Sequence, residues 1–276
     1  MKQLLQNKKL SQVFLYDSAL IPQLINQSSL CHSDTVIEIG AGKGVITELL
    51  SQKVEQVIAI EKDPRLFDVL ENRFNTTPNV LLVLGDGLKL PLPQESYKVF
   101  GNIPFAIEGE LVRRLLDSVS PPTDTYLVVR KQHALRWCGV IKTSMFQCLY
   151  YPWFKLSIVH RFNTSDFTPK PRVESVLLRI QKRSEMLLSA NQEDQYKSFI
   201  QQGFMGGKRI DQNLSTLISR KRLQELGREI GFTPKDRPST LHASKWVELF
   251  KGSIKFVNDG VWDQKLRPTS DTDEIE

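Results

Sequence analysis

Apolar positions along the first 130 residues alternate between strand-like and helix-like patterns. Short apolar runs at 35–39, 57–60 and 80–84 predict buried strands. Between these runs, the segments 44–54 and 65–74 carry apolar residues at helical spacing. Strands that alternate with helices in this way predict βαβ units and a mostly parallel sheet covered on both faces. The expected fold class is therefore a doubly wound, Rossmann-like α/β sheet.

The pattern changes after residue 180, where helical spacing replaces the alternation. Further strands are predicted at 97–101, 125–129, 154–159 and 175–180, the last two completing the sheet with an antiparallel edge. Beyond them, four helix-like segments predict a small all-α domain: 193–204, 214–219, 221–230 and 243–250. We therefore expect a catalytic domain over 1–180, a small helical domain over 181–253, and an acidic, disordered tail over 254–276.

Charge and cysteine content narrow the class of partner and compartment. The 276 residues carry a net charge of +6, and residues 181–253 hold 13 Lys and Arg against 8 Asp and Glu. This balance favours a polyanionic partner for the helical domain, although a solvated helical surface would look the same. The chain has no 18-residue apolar run, no signal-peptide pattern and no CxxC pair among its three cysteines. A cytoplasmic protein with no membrane segment, disulfide framework or metal site is expected.

A glycine-rich turn follows the first predicted strand, in the run 36–44, Val-Ile-Glu-Ile-Gly-Ala-Gly-Lys-Gly. Gly40 and Gly42 would let a ligand approach the backbone closely. Glu61, 21 residues after Gly40, ends the next strand and would bind ribose hydroxyls, while Asp86 after the third strand would accept from an adenine amino group. NAD and S-adenosylmethionine (SAM) would both fit a site formed by this turn and these two carboxylates at the strand ends. The GxGxG spacing resembles motif I of class I SAM-dependent methyltransferases, which favours SAM.

A second motif, Asn102-Ile103-Pro104-Phe105, ends the fourth predicted strand. It resembles the (N/D)-(P/I/L)-P-(Y/F) motif of methyltransferases that act on exocyclic amino groups. The Asn102 side chain and the Ile103 carbonyl would accept the two hydrogens of an adenine amino group and aim its lone pair at the methyl donor. Pro104 would stiffen the turn, and Phe105 would stack on the extruded base. A plain strand-end turn with a buried aromatic is the alternative.

Flanking segments extend this resemblance to the rRNA adenine N6-dimethyltransferases. Residues 10–15, Leu-Ser-Gln-Val-Phe-Leu, resemble their (S/G)-Q-(N/H)-F-L motif, and 167–175 resemble their FxPxPxVxS segment. Val13 stands where Asn or His is usual, so only its backbone would contact the cofactor. The resemblance implies that Phe167 holds the base at the mouth of the site. It also implies a SAM site lined by Val13, Leu15, Gly40, Gly42, Glu61, Asp86 and Asn102.

The resemblance leaves two branches open, both of which imply an enzyme acting on ribosomal RNA. The Erm branch methylates one adenine of 23S rRNA and gives resistance to macrolide, lincosamide and streptogramin B antibiotics. The KsgA-type branch dimethylates two adenines of 16S rRNA. The run 130–133, Arg-Lys-Gln-His, lacks the Q-K-E-V-A pattern of the KsgA type, which favours Erm and 23S rRNA. A non-catalytic nucleic-acid-binding factor is a third possibility. Lys208 and Arg209 are candidate phosphate contacts, and a monomer is expected.

Overall fold

The computed structural model describes the backbone of residues 14–15 and all of residues 20–254. The chain forms two compact units. The first comprises the described residues up to Ala134 together with Lys155–Lys182, and the second comprises Leu135–Phe154 together with the described residues from Arg183 onward. The segment 135–154 therefore belongs to the helical unit, whereas the predicted boundary between residues 180 and 181 assigned it to the first domain. Apart from Ile254, the predicted tail 254–276 lies outside the described residues.

Nine strands are found in the described part of the chain. They are β1 (Phe14–Leu15), β2 (Thr35–Ile39), β3 (Gln56–Glu61), β4 (Val80–Leu84), β5 (Lys98–Asn102), β6 (Asp124–Arg130), β7 (Phe154–Arg161), β8 (Phe167–Thr168) and β9 (Ser175–Lys182). Seven of them form one sheet in the order β4-β3-β2-β5-β6-β9-β7, and β1 pairs with β8 in a separate two-stranded sheet. The pairs from β4 to β6 are parallel, and β9 runs antiparallel to β6. The predicted doubly wound α/β sheet with an antiparallel strand is confirmed.

The described helices lie between and after these strands. They are α1 (Leu20–Gln27), α2 (Val45–Ser51), α3 (Pro64–Phe74), α4 (Glu108–Leu116), α5 (Lys131–Trp137), α6 (Met145–Tyr150), α7 (Glu193–Phe204), α8 (Ile210–Asn213), α9 (Arg220–Ile230) and α10 (Ala243–Ile254). Three single turns of 3₁₀ helix complete the set, at Thr164–Asp166, Ala190–Gln192 and Pro238–Thr240. No helix among these residues is long and apolar enough to cross a membrane.

Helix α3 shows how local sequence sets the elements around the sheet. The Asp63 side chain accepts a hydrogen bond from the Arg65 backbone N–H, and a proline occupies the first helical position. Leu66, Leu70 and Phe74 are buried at four-residue intervals, which turns one face of the helix toward the core. The sheet contributes the other side of that core through Val36 of β2, Val57 of β3 and Phe100 of β5, each at most 1% exposed.

The helical unit has its own aromatic core. Tyr196 and Phe199 of α7 pack against Phe250 of α10 with ring centroids 5.1 and 5.5 Å apart. Trp246 lies so close to α7 that a Cβ on Gly203 would come within 2.6 Å of its ring. The sequence predicted α7, α9 and α10.

The helix predicted at 214–219 is wrong, because this segment forms turns before α9. The Ser219 side chain accepts from the Arg222 backbone N–H and caps α9, so the chain enters that helix from an extended conformation at Ser219. The preceding helix is the four-residue α8. Helices α5 and α6 were not predicted, since each is only seven or six residues long.

Candidate functional site

The glycine-rich turn between β2 and α2 forms the floor of the candidate site. Gly40, Gly42 and Gly44 have φ values of 79°, 61° and 80°, a region that side-chain-bearing residues adopt at a cost. The turn is tied to β3 because the Gly40 and Ala41 backbone N–H groups both donate to the Ile60 carbonyl, at 2.8 and 3.1 Å. The turn is therefore held in place before any ligand arrives.

Glu61 lies at the carboxyl end of β3, as the sequence predicted, and its side chain is only 3% exposed. One carboxylate oxygen accepts from the Gly42 N–H at 2.8 Å, and the other accepts from Lys62 and Asp63 N–H at 2.9 and 2.8 Å. A carboxylate offers about four acceptor positions, so three backbone donors leave capacity for a hydroxyl group. The carboxylate thus fits the role of binding a ribose.

Glu38, two residues before Gly40, is a second buried carboxyl next to the glycine-rich turn. It is 1% exposed, and one oxygen accepts a hydrogen bond of 2.6 Å from the Thr47 hydroxyl. Burial raises the pKa of Glu38 to about 8, the Thr47 hydrogen bond opposes that rise, and the nearby Glu61 charge adds to it. Glu38 belongs to the motif I run at 36–44, but the sequence pattern alone assigned it no role.

Asp86 follows β4 at the third position along the rim. Its carboxylate accepts from the Lys62 ammonium at 2.7 Å and from the Leu88 backbone N–H at 3.0 Å. The Lys62 hydrogen bond is the largest of the influences that hold the pKa of Asp86 below its usual value. The group is therefore an anionic acceptor next to the cavity, as a contact to an adenine amino group requires.

Asn102, Ile103, Pro104 and Phe105 form the fourth element of the rim. Asn102 ends β5, where it lies opposite Val128 of β6, and the Ile103 side chain is buried. Phe105 is half-buried. The Pro104 carbonyl accepts from the Ile107 N–H at 3.1 Å, which starts the turn into α4. The motif is thus a turn that connects the end of β5 to the start of α4.

A cavity of about 380 Å³ joins these strand ends. Gly40, Gly42, Glu61, Asp86, Asn102, Ile103 and Pro104 all line it, together with Glu38 and Thr168. The volume lies within the usual range for small-molecule and cofactor pockets. An apolar cavity with a side-chain-free turn, a hydrogen-bonded buried carboxylate and an anionic rim fits a nucleoside cofactor that carries positive charge, as SAM does.

The other predicted residues of the cofactor and base sites are Val13, Leu15 and Phe167. Val13 lies outside the described residues, and only the backbone of Leu15 is described, where it pairs with Phe167. Phe167, which the resemblance placed at the mouth to hold the base, has a side chain that is 2% exposed and packs edge-to-face on Phe162, with centroids 5.3 Å apart. The neighbouring Thr168 lines the cavity instead.

The two predicted phosphate contacts belong to the helical unit. Lys208 is exposed. Arg209 is half-buried, and its guanidinium donates to both Asp211 oxygens at 2.9 and 3.0 Å. Lys208 is therefore the more accessible of the two cations, because Arg209 is paired with Asp211.

Comparison with known proteins identifies the family. The model of the Ribosomal RNA adenine dimethylase family matches residues 3–255. The chain belongs to this family. It is 25% identical to the rRNA adenine N-6-methyltransferase of Bacillus anthracis, over 91% of this chain and 88% of that protein. It is 31% identical to the Ribosomal RNA small subunit methyltransferase A of Parasynechococcus marenigrum, over 92% and 88% of the two chains.

Solved structures extend the comparison. The structure of the 23S rRNA methyltransferase ErmE is 26% identical and matches with a TM-score of 0.81, over 87% of this chain and 99% of that one. A dimethyladenosine transferase from Plasmodium falciparum, 21% identical, shares the fold with a TM-score of 0.73 over 88% and 98%. This chain is accordingly a SAM-dependent rRNA adenine N6-methyltransferase of the Erm and KsgA family.

Proposed function

We propose that this enzyme methylates N6 of one adenine in the peptidyl-transferase region of 23S rRNA and so gives resistance to macrolide, lincosamide and streptogramin B antibiotics. The observation that carries the proposal is the similarity to the 23S rRNA methyltransferase ErmE, which extends over 99% of that chain at a TM-score of 0.81. Methyl groups on N6 would act by their bulk and by removing hydrogen-bond donors from the antibiotic site.

In this proposal the rim of the cavity holds the cofactor. The turn at Gly40 and Gly42 receives the methionine part, the Glu61 carboxylate accepts from the ribose hydroxyls, and Asp86 accepts from the adenine amino group. SAM supplies an electrophilic methyl group. Val13 and Leu15, predicted by resemblance to complete the cofactor site, keep that proposed role, and Val13 would contact the cofactor through its backbone only.

The acceptor side of the site lies at residues 102–105. The Asn102 side-chain oxygen and the Ile103 carbonyl accept the two hydrogens of the target amino group, which favours a pyramidal nitrogen with its lone pair directed at the methyl carbon. No strong general base is needed, because the amino proton becomes acidic once nitrogen carries the methyl. Phe105 stacks on the extruded base. Lys208, and to a smaller extent Arg209, contacts phosphates of the RNA.

The test is transfer of tritium from labelled SAM to protein-free 23S rRNA and, separately, to 30S particles, followed by mapping of the modified base. We expect label on a single adenine of the peptidyl-transferase loop. Asn102→Ala should abolish transfer while leaving RNA binding largely intact, and equal loss of both would contradict the role given to Asn102. Expression in a macrolide-sensitive bacterium should raise the inhibitory concentration for the wild type and not for Asn102→Ala.

A 16S-specific enzyme is the second candidate, favoured by the 31% identity to a Ribosomal RNA small subunit methyltransferase A. Label on two adjacent adenines of the 30S particle would select it, with every role in the cavity unchanged. Absence of label on both substrates would contradict both candidates. Sedimentation of the protein alone and with RNA would test the further proposal that the enzyme acts as a monomer.

A further inference from the structure

An ion pair that the sequence analysis did not anticipate lies behind the 102–105 turn. Glu108, the first residue of α4, is 1% exposed. Arg130, the last residue of β6, donates from Nε to Glu108 Oε1 at 2.6 Å and from its backbone N–H to Oε2 at 2.9 Å. His133 Nδ1 lies 2.5 Å from the same Oε1. The buried carboxylate therefore joins the end of β6 to the start of α4.

The arginine also reaches the turn itself. Arg130 Nη2 donates to the Phe105 carbonyl at 3.2 Å. The preceding carbonyl, that of Pro104, accepts from the Ile107 N–H, whereas none of the described residues donates to the Ile103 carbonyl. The Pro104 and Phe105 carbonyls thus accept hydrogen bonds from within the protein. The Ile103 carbonyl, which the proposed function assigns to the target amino group, stays available for the substrate.

We propose that Glu108 and Arg130 are positioning residues for methyl transfer, which hold the 102–105 turn so that the Ile103 carbonyl and the Phe105 ring meet the target adenine. Neither residue lines the cavity. Their action passes through the Phe105 carbonyl and the first turn of α4. His133 supports the pair by occupying the same carboxylate oxygen, as its ring does when Nδ1 carries a proton.

The geometry of the contacts explains why both partners are needed. The Arg130 guanidinium presents its donors in a fixed fork, so Nε on Glu108 and Nη2 on the Phe105 carbonyl fix the plane of the group. Removal of the carboxylate frees that plane to rotate, and removal of the guanidinium leaves a buried carboxylate without its cation. Either change displaces the turn, and a displacement of about 1 Å costs a rate factor of roughly 100 when reacting groups must be aligned.

The inference rests on the proposed role of residues 102–105, and the experiment separates the two. Single-turnover methylation is measured with protein-free 23S rRNA, or with 30S particles if the transfer assay selects them. The variants are Glu108→Gln, Arg130→Met, Arg130→Lys and the double variant Glu108→Gln/Arg130→Met. Equilibrium affinities for SAM and for the RNA are measured on the same proteins.

We expect the single variants to lower the rate of methyl transfer by roughly 10- to 100-fold, with both affinities within about threefold of wild type. The double variant should be no slower than the worse single variant, because the two residues act as one unit. Arg130→Lys should recover only part of the rate, since an ammonium keeps the charge but cannot contact Glu108 and the Phe105 carbonyl together.

Asp124→Asn is the matched control. Asp124 begins the same strand that Arg130 ends, is 3% exposed, and accepts from the Arg179 guanidinium at 2.6 Å. This change breaks an equally buried carboxylate–arginine pair at the opposite end of β6. It should lower the melting temperature and leave the rate of methyl transfer at 25 °C unchanged.

Three results would overturn the inference. In the first, Glu108→Gln and Arg130→Met keep the wild-type rate while Asn102→Ala abolishes it. In the second, the rate falls as much in Asp124→Asn as in the Glu108 variant, which would make the effect one of general stability. In the third, RNA affinity falls and the rate at saturating RNA does not, which would make Arg130 an RNA contact. Full activity of Asn102→Ala would refute the proposed site itself.

Discussion

Replacing Glu38 by glutamine removes a proton-binding group from the lining of the cavity and keeps the shape of the side chain. The carboxyl is 1% exposed, and burial raises its pKa to about 8 from an ordinary value of 4.5. Thr47 donates to one of its oxygens at 2.6 Å, and the amide oxygen of glutamine accepts the same hydrogen bond. The comparison of the two proteins therefore isolates the effect of titration on the free energy of unfolding.

The folded protein binds this proton more tightly than the unfolded chain does. Proton binding at Glu38 therefore stabilises the folded protein. This contribution to the free energy of unfolding is fully present below pH 4.5 and is lost as pH rises through the folded pKa of about 8. The displacement of the pKa from 4.5 to about 8 corresponds to about 5 kcal/mol over that window. Such a change is a large fraction of the stability of an ordinary domain.

Urea unfolding of the SAM-free enzyme between pH 5 and pH 8.5 measures this difference. The wild type should lose about 4 kcal/mol more of its free energy of unfolding than Glu38→Gln over this range, because the assay begins half a pH unit above the unfolded pKa of 4.5. Parallel curves for the two proteins would refute the reasoning, because they would mean that Glu38 titrates alike in both states. Since SAM is a cation at sulfur, its binding should release a proton from Glu38 near pH 7, detectable by calorimetry in buffers of different ionisation enthalpy and absent in the variant.

Three further predictions test the turn, the rim and the acceptor side. Gly44→Ala places a Cβ 2.5 Å from an aromatic ring carbon of α3 at φ 80° and should cost roughly 2–4 kcal/mol in urea unfolding, whereas Gly109→Ala meets no atom within 4 Å and should not destabilise. Asp86→Ala should weaken SAM binding about tenfold by calorimetry, and Lys62→Met should not weaken it, because it removes a competing donor. Phe105→Ala should lower kcat/KM for RNA roughly 10- to 100-fold through lost base stacking, while Phe105→Tyr keeps the ring and stays close to wild type.

The sequence predicted those parts of the site that depend on strand ends. In a parallel sheet the carboxyl ends of neighbouring strands meet at one edge, so an acidic residue that ends one predicted strand must lie near the turn after the next. Gly42 and Glu61 show this directly, since the backbone of one donates to the carboxylate of the other across 19 residues. Asp86 and Asn102 follow the same rule and line the same cavity.

Features that depend on tertiary packing were not visible in the pattern. Phe167 was placed at the mouth by resemblance, but its ring is buried against Phe162, and nothing in the local sequence distinguishes an aromatic that packs inward from one that stacks on a base. The predicted helix at 214–219 had the right composition, yet the segment forms turns that lead to Ser219, the cap of α9. Glu38 belongs to a recognised motif, but its raised pKa follows from complete burial, which the sequence does not report.

The run at 130–133, which the sequence analysis used to favour the Erm branch over the KsgA type, also has a structural role. The KsgA-type pattern has glutamine where this chain has Arg130, and glutamine carries no charge. With glutamine there, the buried Glu108 carboxylate would lose the guanidinium that pairs with it. Glu108 therefore depends on Arg130, and the departure from the pattern fits the local charge balance in this chain. The choice between 23S and 16S rRNA then depends on the similarity to ErmE and on the mapped base, and the departure concerns the contacts that hold the turn at residues 102–105.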